Sequence, residues 1–290
     1  MGPDYSVPQQ GEQIARSVFG LRGGGPGTAA GAALSIIPPM TRRKLSAVLI
    51  TRDCATTIPE TLAALKFCDE IVVVDSGSSD GTDELARRAG ARVIHQDWLG
   101  FGPQKQFAVE QAENDWVLCV DGDEIVSPEL QASIERELLE PSHRAFEFPR
   151  CNRFLGRYLR HGEGYPDLSL RFFDRRHAHW SDDLVHEKVV ALGDVGRLKG
   201  DLLHHSEETL ASYLEKQNRY TSLAAEALAA DGYQPHALKL AISPIFRFLK
   251  FYVFRLGFLD GAPGVIHIGI GCFNSFIKYA KVRESRRSNG

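Results

Sequence analysis

Two carboxylates separated by one glycine, Asp121 and Asp123, directly follow the apolar run Trp116–Val120. At the end of a strand, this spacing lets both side chains face one hard cation. Mg²⁺ or Mn²⁺ would suit the pair, because these ions accept carboxylate oxygens and keep further positions for water or phosphate. A solvated turn often has the same pattern by chance. It is therefore the position after a predicted strand that favours a metal site.

A second polar cluster begins at Asp75, after the apolar run Ile71–Val74, and continues through small residues to Thr82. It fits a plain strand-to-helix loop with Thr82 as the helix cap. It also fits a nucleotide site in which Asp75 accepts a hydrogen bond from a base or a ribose. The chain contains neither a Gly-Lys-Ser/Thr phosphate loop nor a Gly-x-Gly-x-x-Gly fingerprint. These absences argue against P-loop ATP hydrolysis and dinucleotide-dependent redox chemistry.

The elements that must position these residues alternate along the first half of the chain. Apolar runs predict strands at 45–51, 70–75, 91–95 and 115–120, and helical patterns are found at 57–67, 83–89, 103–112 and 128–139. This alternation predicts an α/β fold with a mostly parallel sheet flanked by helices. Ligands bind at the carboxyl ends of the strands in such sheets, and both polar clusters are at such ends.

Beyond residue 140 the alternation stops. Strands are predicted without long helices between them, and two long helices follow; the strands are at 145–149, 168–174 and 184–190, and the helices at 207–231 and 236–259. We therefore divide the chain into an N-terminal extension at 1–43, an α/β domain at 44–206 with halves 44–124 and 125–206, and a helical C-terminal region at 207–290.

The N-terminal extension is rich in Gly and Pro and is predicted to be disordered. It lacks a charged segment followed by an apolar core, so no signal peptide is predicted, and Met40 could be a natural start. The uncharged run at 261–277 is shorter than the roughly 20 residues of a transmembrane helix, so no span is predicted. The five cysteines form no Cys-x-x-Cys pair and are predicted to be free thiols in a reducing compartment.

The net charge of -3 averages two unlike parts: residues 1–234 carry -10 and residues 235–290 carry +7. The basic part also holds 9 of the 24 Phe and Tyr residues. This composition predicts that residues 236–287 meet an anionic membrane surface. A buried helix with its cations reaching outward is the alternative. Binding to nucleic acid is not predicted, because no nucleic-acid motif is present and the rest of the chain is acidic.

A helical wheel over 242–259 separates two faces. One face is predicted to pack on the α/β domain and comprises Ile242, Ile245, Leu249, Tyr252, Val253 and Leu256. The other mixes cations with aromatic rings, is predicted to meet the lipid, and comprises Arg247, Lys250, Phe251, Phe254 and Phe258.

Several of these segments together resemble a known family. Residues 47–53, 71–82 and 121–124 resemble the nucleotide-sugar-binding half of glycosyltransferase family 2, the inverting enzymes with the GT-A fold; 100–106 resembles the family segment before Asp-x-Asp. Within the family, 171–173, 185–187, 204–206 and 257–261 resemble bacterial lipopolysaccharide-core β-glycosyltransferases. The resemblance covers about 44–283. It implies a GT-A catalytic domain whose first half binds the nucleotide sugar and whose second half binds the acceptor.

The resemblance also implies roles for single residues. The donor is expected to contact Thr51, Asp53, Asp75, Lys105, Asp121 and Arg171, with Lys105 near the diphosphate. Asp123 is expected to be the principal metal ligand, with help from Asp121 and His205. Glu187 is expected to be the catalytic base.

Other interpretations of these residues remain open. Glu187 could be an ordinary ion-pair partner, and Asp182 or Asp183 could be the base instead. His204 competes with His205 for the metal, Arg171 could pair with Asp121 rather than with a phosphate, and Trp180 could line the acceptor site or belong to the core.

The resulting hypothesis is a hexosyltransferase that moves a sugar, with glucose favoured, from a UDP-sugar to a hydroxyl of the lipopolysaccharide inner core. The acceptor is a lipid-anchored glycan, so the enzyme is expected in the cytoplasm, peripheral on the inner face of the bacterial inner membrane. A polyprenyl-linked or capsular glycan is an alternative acceptor. A non-catalytic nucleotide-sugar-binding or membrane-scaffold module is the alternative outside enzymes. A sugar nucleotidyltransferase is disfavoured, because residues 51–55 lack a glycine-rich basic loop.

Overall fold

The first half of the chain forms four parallel strands joined by helices. The computed structural model describes residues 41–182, 187–205 and 209–287. The strands are β1 (Leu45–Thr51), β2 (Glu70–Asp75), β3 (Arg92–His95) and β4 (Trp116–Asp121), and the helices are α1 (Ile58–Ala64), α2 (Thr82–Arg88) and α3 (Phe101–Glu110). β1 and β4 are buried almost throughout, as their continuous apolar sequences predict for strands covered on both faces.

The register of these strands brings the two polar clusters together. The strand order is β3-β2-β1-β4, all parallel. Thr51 at the end of β1 pairs with Asp75 of β2, and its neighbour Ile50 pairs with Asp121 of β4. The predicted nucleotide and metal carboxylates therefore lie on the same edge of the sheet, one on each side of β1.

The second half of the domain extends the sheet with antiparallel and short strands. Its elements are β5 (Glu124–Val126), α4 (Pro128–Leu139), β6 (Ala145–Phe154), β7 (Arg157–Tyr158), β8 (Asp167–Asp174), β9 (Ala178–Trp180), β10 (Val189–Ala191), β11 (Val195–Arg197) and β12 (Leu202–His204). The order continues from β4 through β8, β6 and β12 to β5. β12 pairs with both β5 and β6, which places His204 opposite Glu124 and Asn152.

Both faces of the sheet are packed. On one face three large rings meet, with centroids 4.9 Å apart for Trp116 and Phe172 and 5.3 Å for Phe146 and Phe172. On the other face Val48 and Val117 form part of a second buried cluster with residues of α3. The predicted α/β fold class is confirmed, and α4 has the predicted bounds. Of the predicted strand at 184–190, residues 184–186 lie outside the described residues, and β10 begins at Val189.

Within its described residues 209–287, the C-terminal region contains three long helices instead of the two predicted. They are α5 (Leu210–Ala230), α6 (Ala237–Phe248) and α7 (Gly261–Arg287); π-helical residues Leu249–Phe254 and a 3-10 turn at Gly257–Asp260 join the last two. The prediction of one helix over 236–259 was therefore wrong. Its continuation is interrupted at Leu256, whose φ of 53° lies in the left-handed region.

Side-chain contacts fasten this region to β7 and to the loop that follows it. The Arg247 guanidinium forms a two-pronged ion pair with Glu163. Asp260, 1% exposed, accepts hydrogen bonds from the His161 backbone N–H at 2.8 Å and contacts the His161 ring at 2.9 Å. Arg157 donates to the Leu259 carbonyl at 3.0 Å. The helices are thus held to the α/β domain by side chains as well as by the chain itself.

The predicted assignment of the two helix faces was wrong. Ile242, Ile245 and Leu249, which were expected to pack on the α/β domain, are 50%, 60% and 45% exposed. Arg247, which was expected to face lipid, instead points inward and also donates to Ser275 at 3.0 Å. Phe254 and Phe258 of the predicted lipid face are also exposed, at 81% and 43%, so the wheel over a single helix did not separate covered from exposed residues. Arg247 is covered because it pairs with Glu163, which is distant in sequence.

No single described helix is long and apolar enough to cross a membrane, although the pair Ala237–Phe254 and Gly257–Ser285 meets the criteria jointly across a 74° bend. At the other end of the chain, residues 1–40 of the predicted N-terminal extension lie outside the described residues. Its last part already bonds to the domain, since the Arg43 N–H donates to the Leu138 carbonyl at 2.9 Å. All five cysteines are described, and each is a free thiol.

Candidate active site

A cavity of about 580 Å³ opens at the carboxyl ends of β1 and β4. This volume lies in the range of small-molecule sites, roughly 300–1,000 Å³. Five of the residues predicted from the sequence line it, namely Thr51, Asp53, Asp121, Asp123 and His205. The rest of the wall includes His204, Cys54, two arginines (Arg52 and Arg150) and two exposed aromatic side chains (Trp98 and Phe101). The structure thus brings the Asp121–Asp123 cluster into this cavity, together with the loop after β1.

Gly122 allows the chain to turn between the two carboxylates. Its carbonyl accepts hydrogen bonds from the hydroxyls of Thr57 at 2.8 Å and Thr61 at 3.1 Å, which hold the turn against α1. A Cβ atom at this position would lie 2.7 Å from the Cys54 Sγ atom. Glycine is therefore required by the close approach of the neighbouring loop.

We expect Gly122→Ala to destabilise the protein by about 1–3 kcal/mol, the usual cost of overpacking. The added methyl group collides with the Cys54 sulfur, so the loss should shrink in the Gly122→Ala/Cys54→Ala double variant. Urea unfolding of the four proteins of this cycle measures the coupling. Strictly additive losses would contradict the steric explanation.

A buried cluster of opposite charges adjoins the cavity. The Lys105 ammonium lies 3.4 Å from Asp121 Oδ1 and 3.4 Å from Glu187 Oε1. Arg171 approaches the other oxygen of Asp121 at 3.4 Å. The Trp180 ring lies beneath both cations, 4.8 Å from the Lys105 Nζ and 5.1 Å from the Arg171 Cζ. The structure therefore unites four predicted site residues, two cations with two carboxylates, and shows that Trp180 belongs to the core.

The cluster keeps Asp121 ionised. Burial disfavours its charged form, but the positive charges of Arg171 and Lys105 outweigh that effect and hold the pKa of Asp121 well below its usual range. The same pairing raises the pKa of Arg171 despite the burial of its guanidinium. Both oxygens of Asp121 therefore already face protein cations.

Lys105 was predicted to approach the diphosphate, but its ammonium is 7% exposed and bonds to the two carboxylates. It is not among the residues that line the cavity, whereas Arg52 and Arg150 are. The physical reason lies in α3, which carries Lys105 into the interior instead of along the cavity wall. In this structure Lys105 therefore bonds to Asp121 and Glu187, and its contact with the diphosphate stays a prediction.

Asp123 is paired with a histidine. Its Oδ2 atom lies 3.1 Å from His204 Nε2, and the other ring nitrogen, Nδ1, lies 2.9 Å from Asn152 Oδ1. The same Asn152 oxygen accepts a hydrogen bond from Arg150 at 3.0 Å, which fixes it as an acceptor. A neutral imidazole has one N–H and can donate to only one of its two acceptors. If Nδ1 donates to Asn152, Nε2 and the Asp123 oxygen both present lone pairs, and a cation between them would satisfy both.

The predicted metal set of Asp121, Asp123 and His205 is not assembled. In the described part of the chain, no three or more His, Cys, Asp or Glu side chains converge as a ready metal site. His205 turns its ring towards Tyr158, with centroids 5.6 Å apart, and its Nδ1 lies 3.8 Å from a Glu60 oxygen. His204 ends β12 and its ring contacts the Asp123 carboxylate, whereas His205 follows the strand and contacts Asp123 through its backbone N–H, which donates to the Asp123 carbonyl at 2.8 Å. Asp123 and His204 could hold a divalent cation with water and phosphate as its other ligands.

A relay that the sequence analysis missed supports this pair. Glu124 is fully buried and accepts from Arg150 Nε at 2.5 Å and from the Asp121 backbone N–H at 2.9 Å. Arg150 continues to Asn152, which orients His204. The role of Glu124 could have been predicted, because it directly follows the carboxylate pair. No sequence feature marks Arg150 and Asn152, because β6 joins the site only through long-range pairing.

The cluster that begins at Asp75 forms a closely bonded loop. Asp75 is 4% exposed and accepts hydrogen bonds from the Thr51 hydroxyl at 2.9 Å and from the Gly77 and Ser78 N–H groups at 3.0 and 2.8 Å. Asp53 accepts from the Ser79 N–H at 2.8 Å. These bonds join the loops after β1 and β2 and shape the wall of the cavity. Contact of Thr51, Asp53 and Asp75 with the donor stays a prediction.

The predicted base Glu187 has a described side chain that is 22% exposed and bonds to Lys105. Of the two alternative bases, Asp182 is described as exposed, and Asp183 lies outside the described residues.

Comparison with known proteins agrees with the geometry. Residues 46–183 match the family model described as glycosyl transferase family 2. An uncharacterized glycosyltransferase of Rickettsia prowazekii is 31% identical over 263 residues, which cover 83% of this chain and 87% of that protein. The lipopolysaccharide core biosynthesis glycosyltransferase LpsC of Rhizobium meliloti is 31% identical over 82% of this chain and 91% of that protein.

Among solved structures, glucosyl-3-phosphoglycerate synthase from Mycobacterium tuberculosis overlaps with a TM-score of 0.43 at 19% identity, over 67% of this chain and 81% of that chain. That overlap is too weak to carry an argument about ligands. The family model and the relatives that match across most of their length are sufficient, and they agree with the α/β sheet expected of a GT-A enzyme. The chain belongs to glycosyltransferase family 2.

Proposed function

We propose that this chain moves a hexose, in the first instance glucose, from a UDP-sugar to a sugar hydroxyl of the lipopolysaccharide inner core, with inversion at the anomeric carbon. One observation carries the proposal. The Asp123–His204 pair on the cavity wall and Glu187 beside Lys105 converge at the same edge of the sheet. Asp123 and His204 line the cavity, and Glu187 lies next to it through Lys105, which also contacts the cavity residue Asp121; this supports a diphosphate site with a base beside it.

The cavity offers recognition groups for a nucleoside diphosphate. The loop from Thr51 to Thr57 provides hydroxyl and carboxylate groups, and Arg52 and Arg150 provide positive charge. Asp123 and His204 would hold Mg²⁺ or Mn²⁺ there. When bound, such an ion would stabilise the negative charge that develops on the departing diphosphate. The arginines of the wall would contribute to the same stabilisation through hydrogen bonds.

Glu187 supplies the complementary half of the reaction. A sugar hydroxyl is a poor nucleophile at neutral pH, and a carboxylate within hydrogen-bond reach can accept its proton as the new bond forms. Lys105 holds one carboxylate oxygen of Glu187 and leaves the other for the acceptor. Attack from the side opposite the diphosphate inverts the anomeric configuration.

The acceptor is proposed from the relatives. LpsC, whose name describes lipopolysaccharide core biosynthesis, matches over 82% of this chain. A lipid-anchored core glycan would place the enzyme in the cytoplasm, peripheral on the inner face of the bacterial inner membrane. A polyprenyl-linked or capsular glycan is the competing acceptor.

A thermal-shift panel of UDP-, GDP- and dTDP-sugars with Mg²⁺ or Mn²⁺ tests the donor. Binding to the native state at 100 times Kd stabilises it by about 2.7 kcal/mol. We expect UDP-glucose with a cation to raise Tm by several degrees, since about 1 kcal/mol corresponds to roughly 2–4 °C at this size. A larger shift with a GDP- or dTDP-sugar would contradict the donor assignment.

Release of UDP in the presence of delipidated core oligosaccharide tests the reaction. UDP release that depends on the oligosaccharide supports transfer to the core. UDP release that appears only with a polyprenyl-linked glycan would identify that glycan as the acceptor instead. A shift in Tm without any release in either case would support the non-catalytic alternative.

A further inference from the structure

α6 is an apolar helix that buries none of its residues in the protein. Its sequence from Ala237 to Phe248 contains only two charged side chains, Lys239 and Arg247. Helices of this composition normally have their apolar surface covered. Four of its large side chains and the first of the following π-helical segment form one exposed stripe, the α6 stripe: Leu238 at 67%, Ile242 at 50%, Ile245 at 60%, Phe246 at 66% and Leu249 at 45%.

The orientation of the α6 stripe is fixed by the opposite side of the helix. Arg247 points inward, where it pairs with Glu163 and donates to Ser275 of α7. At about 100° per residue, the α6 stripe lies on the side of the helix away from Arg247. The stripe therefore faces away from the rest of the described protein.

The exposed apolar surface continues past the end of α6. Phe254 is 81% exposed, and Val253 and Phe258 are 45% and 43% exposed. This surface is contiguous in sequence with the α6 stripe and is rich in large rings. Soluble proteins rarely leave such concentrations uncovered, and when they do the surface is normally a binding site.

The charges beside the α6 stripe are all positive. Lys239, Lys250 and Arg255 are exposed, and no acidic residue occurs between Gly232 and Leu259. Apolar rings flanked by cations fit the boundary between acyl chains and anionic headgroups. A second copy of this chain fits less well, because stacking two such surfaces would bring like charges together without acids to pair them.

We propose that the α6 stripe docks in the plane of an anionic lipid bilayer, with its apolar side chains among the acyl chains and its flanking cations at the headgroups. The docking is peripheral and needs no helix to cross the bilayer. It rests on exposure and charge, so it does not depend on the identity of the donor or the acceptor.

Co-sedimentation of the full chain with vesicles tests the proposal. We expect binding to vesicles of phosphatidylcholine mixed with phosphatidylglycerol, and much weaker binding to phosphatidylcholine alone. The Ile245→Glu/Phe246→Glu variant should bind at least about tenfold more weakly, because charge opposes insertion of the stripe. The milder Phe246→Ser variant should show a smaller loss, and it covers the case in which the double variant fails to fold.

Leu192→Glu/Leu223→Glu is the matched control, because these side chains are equally exposed, at 68% and 55%, but lie outside the α6 stripe. It should bind vesicles as the unaltered chain does. Equal binding of all variants, or equal binding to neutral and anionic vesicles, would overturn the proposal.

Sedimentation velocity without vesicles tests whether a second copy of this chain covers the α6 stripe instead. A dimer that the α6 substitutions convert to a monomer would overturn the proposal in favour of a second copy. UDP-sugar binding, measured on the same variants, should be unchanged. Loss of vesicle binding can therefore be separated from failure of the proposed transferase function.

Discussion

Replacing Asp123 with alanine is expected to abolish cation-dependent binding of UDP and to lower transfer by about a thousandfold, which corresponds to several kcal/mol of lost charge stabilisation in the transition state. Asp123 is the carboxylate that pairs with His204 on the cavity wall, whereas Asp121 is engaged by Lys105 and Arg171. Calorimetric titration of UDP with and without Mn²⁺ measures the binding term directly.

The control for this variant is Asp97→Ala, which removes a carboxylate whose side chain is 95% exposed and does not line the cavity. It should bind UDP normally. His204→Ala should weaken cation-dependent binding in the same direction, and His205→Ala should affect it less. Unchanged Mn²⁺-dependent affinity for UDP in Asp123→Ala would contradict the assignment of Asp123 as a metal ligand. A larger loss of affinity in His205→Ala than in His204→Ala would favour His205, the ligand predicted from the sequence.

Glu187→Gln is expected to lower kcat by about 10²- to 10⁴-fold, the usual contribution of a general base, while the affinity for the UDP-sugar stays nearly unchanged. The substitution keeps the shape of the side chain and its contact with Lys105 but removes the group that accepts the proton. Single-turnover transfer, with donor affinity measured separately by calorimetry, separates the two quantities.

Glu84→Gln provides the matched control, since the Glu84 side chain is 68% exposed and pairs only at the surface with Arg88. It should transfer at the normal rate. Near-normal transfer by Glu187→Gln would show that the proton goes elsewhere, and Asp182→Asn and Asp183→Asn would then be the next variants to measure. A parallel loss of donor affinity would instead indicate that Glu187 acts through the charge cluster.

The parallel half of the sheet could be predicted from the sequence because its determinants are local. β1 and β2 have the predicted bounds, since each is a continuous apolar run bounded by polar residues. The location of Asp75, Asp121 and Asp123 at one edge follows from the same pattern, because carboxyl ends of parallel strands meet at one edge. Local sequence therefore sufficed to find the cavity.

The choice between His204 and His205 could not be made from the sequence. A shift of register by one residue at the end of β12 would change which of the two rings lies beside Asp123. The register of β12 is set by its pairing with β5 and β6, which lie far away in the chain. For the same reason Arg150 and Asn152 escaped notice, since only the fold brings β6 beside the cavity.

The C-terminal region shows a further limit of helical periodicity. Periodicity reports which residues share a face but not which face finds a partner. Here the partner of Arg247 is Glu163, from the loop between β7 and β8, and this pair turns Arg247 inward while Ile242 and Ile245 stay exposed. Contact of this region with an anionic membrane stays a prediction.

The side-chain contacts of the helical region with β7 and the loop that follows it have a geometric consequence for catalysis. If only a flexible linker joined the two parts, the distance between the cavity and a membrane could vary. The bonds from Glu163 to Arg247, from His161 to Asp260 and from Arg157 to Leu259 instead connect the helices directly to the α/β domain. With α6 docked on lipid, these contacts would fix the distance between the cavity and the membrane surface. The enzyme would then favour acceptor sugars that lie at that distance from their lipid anchor.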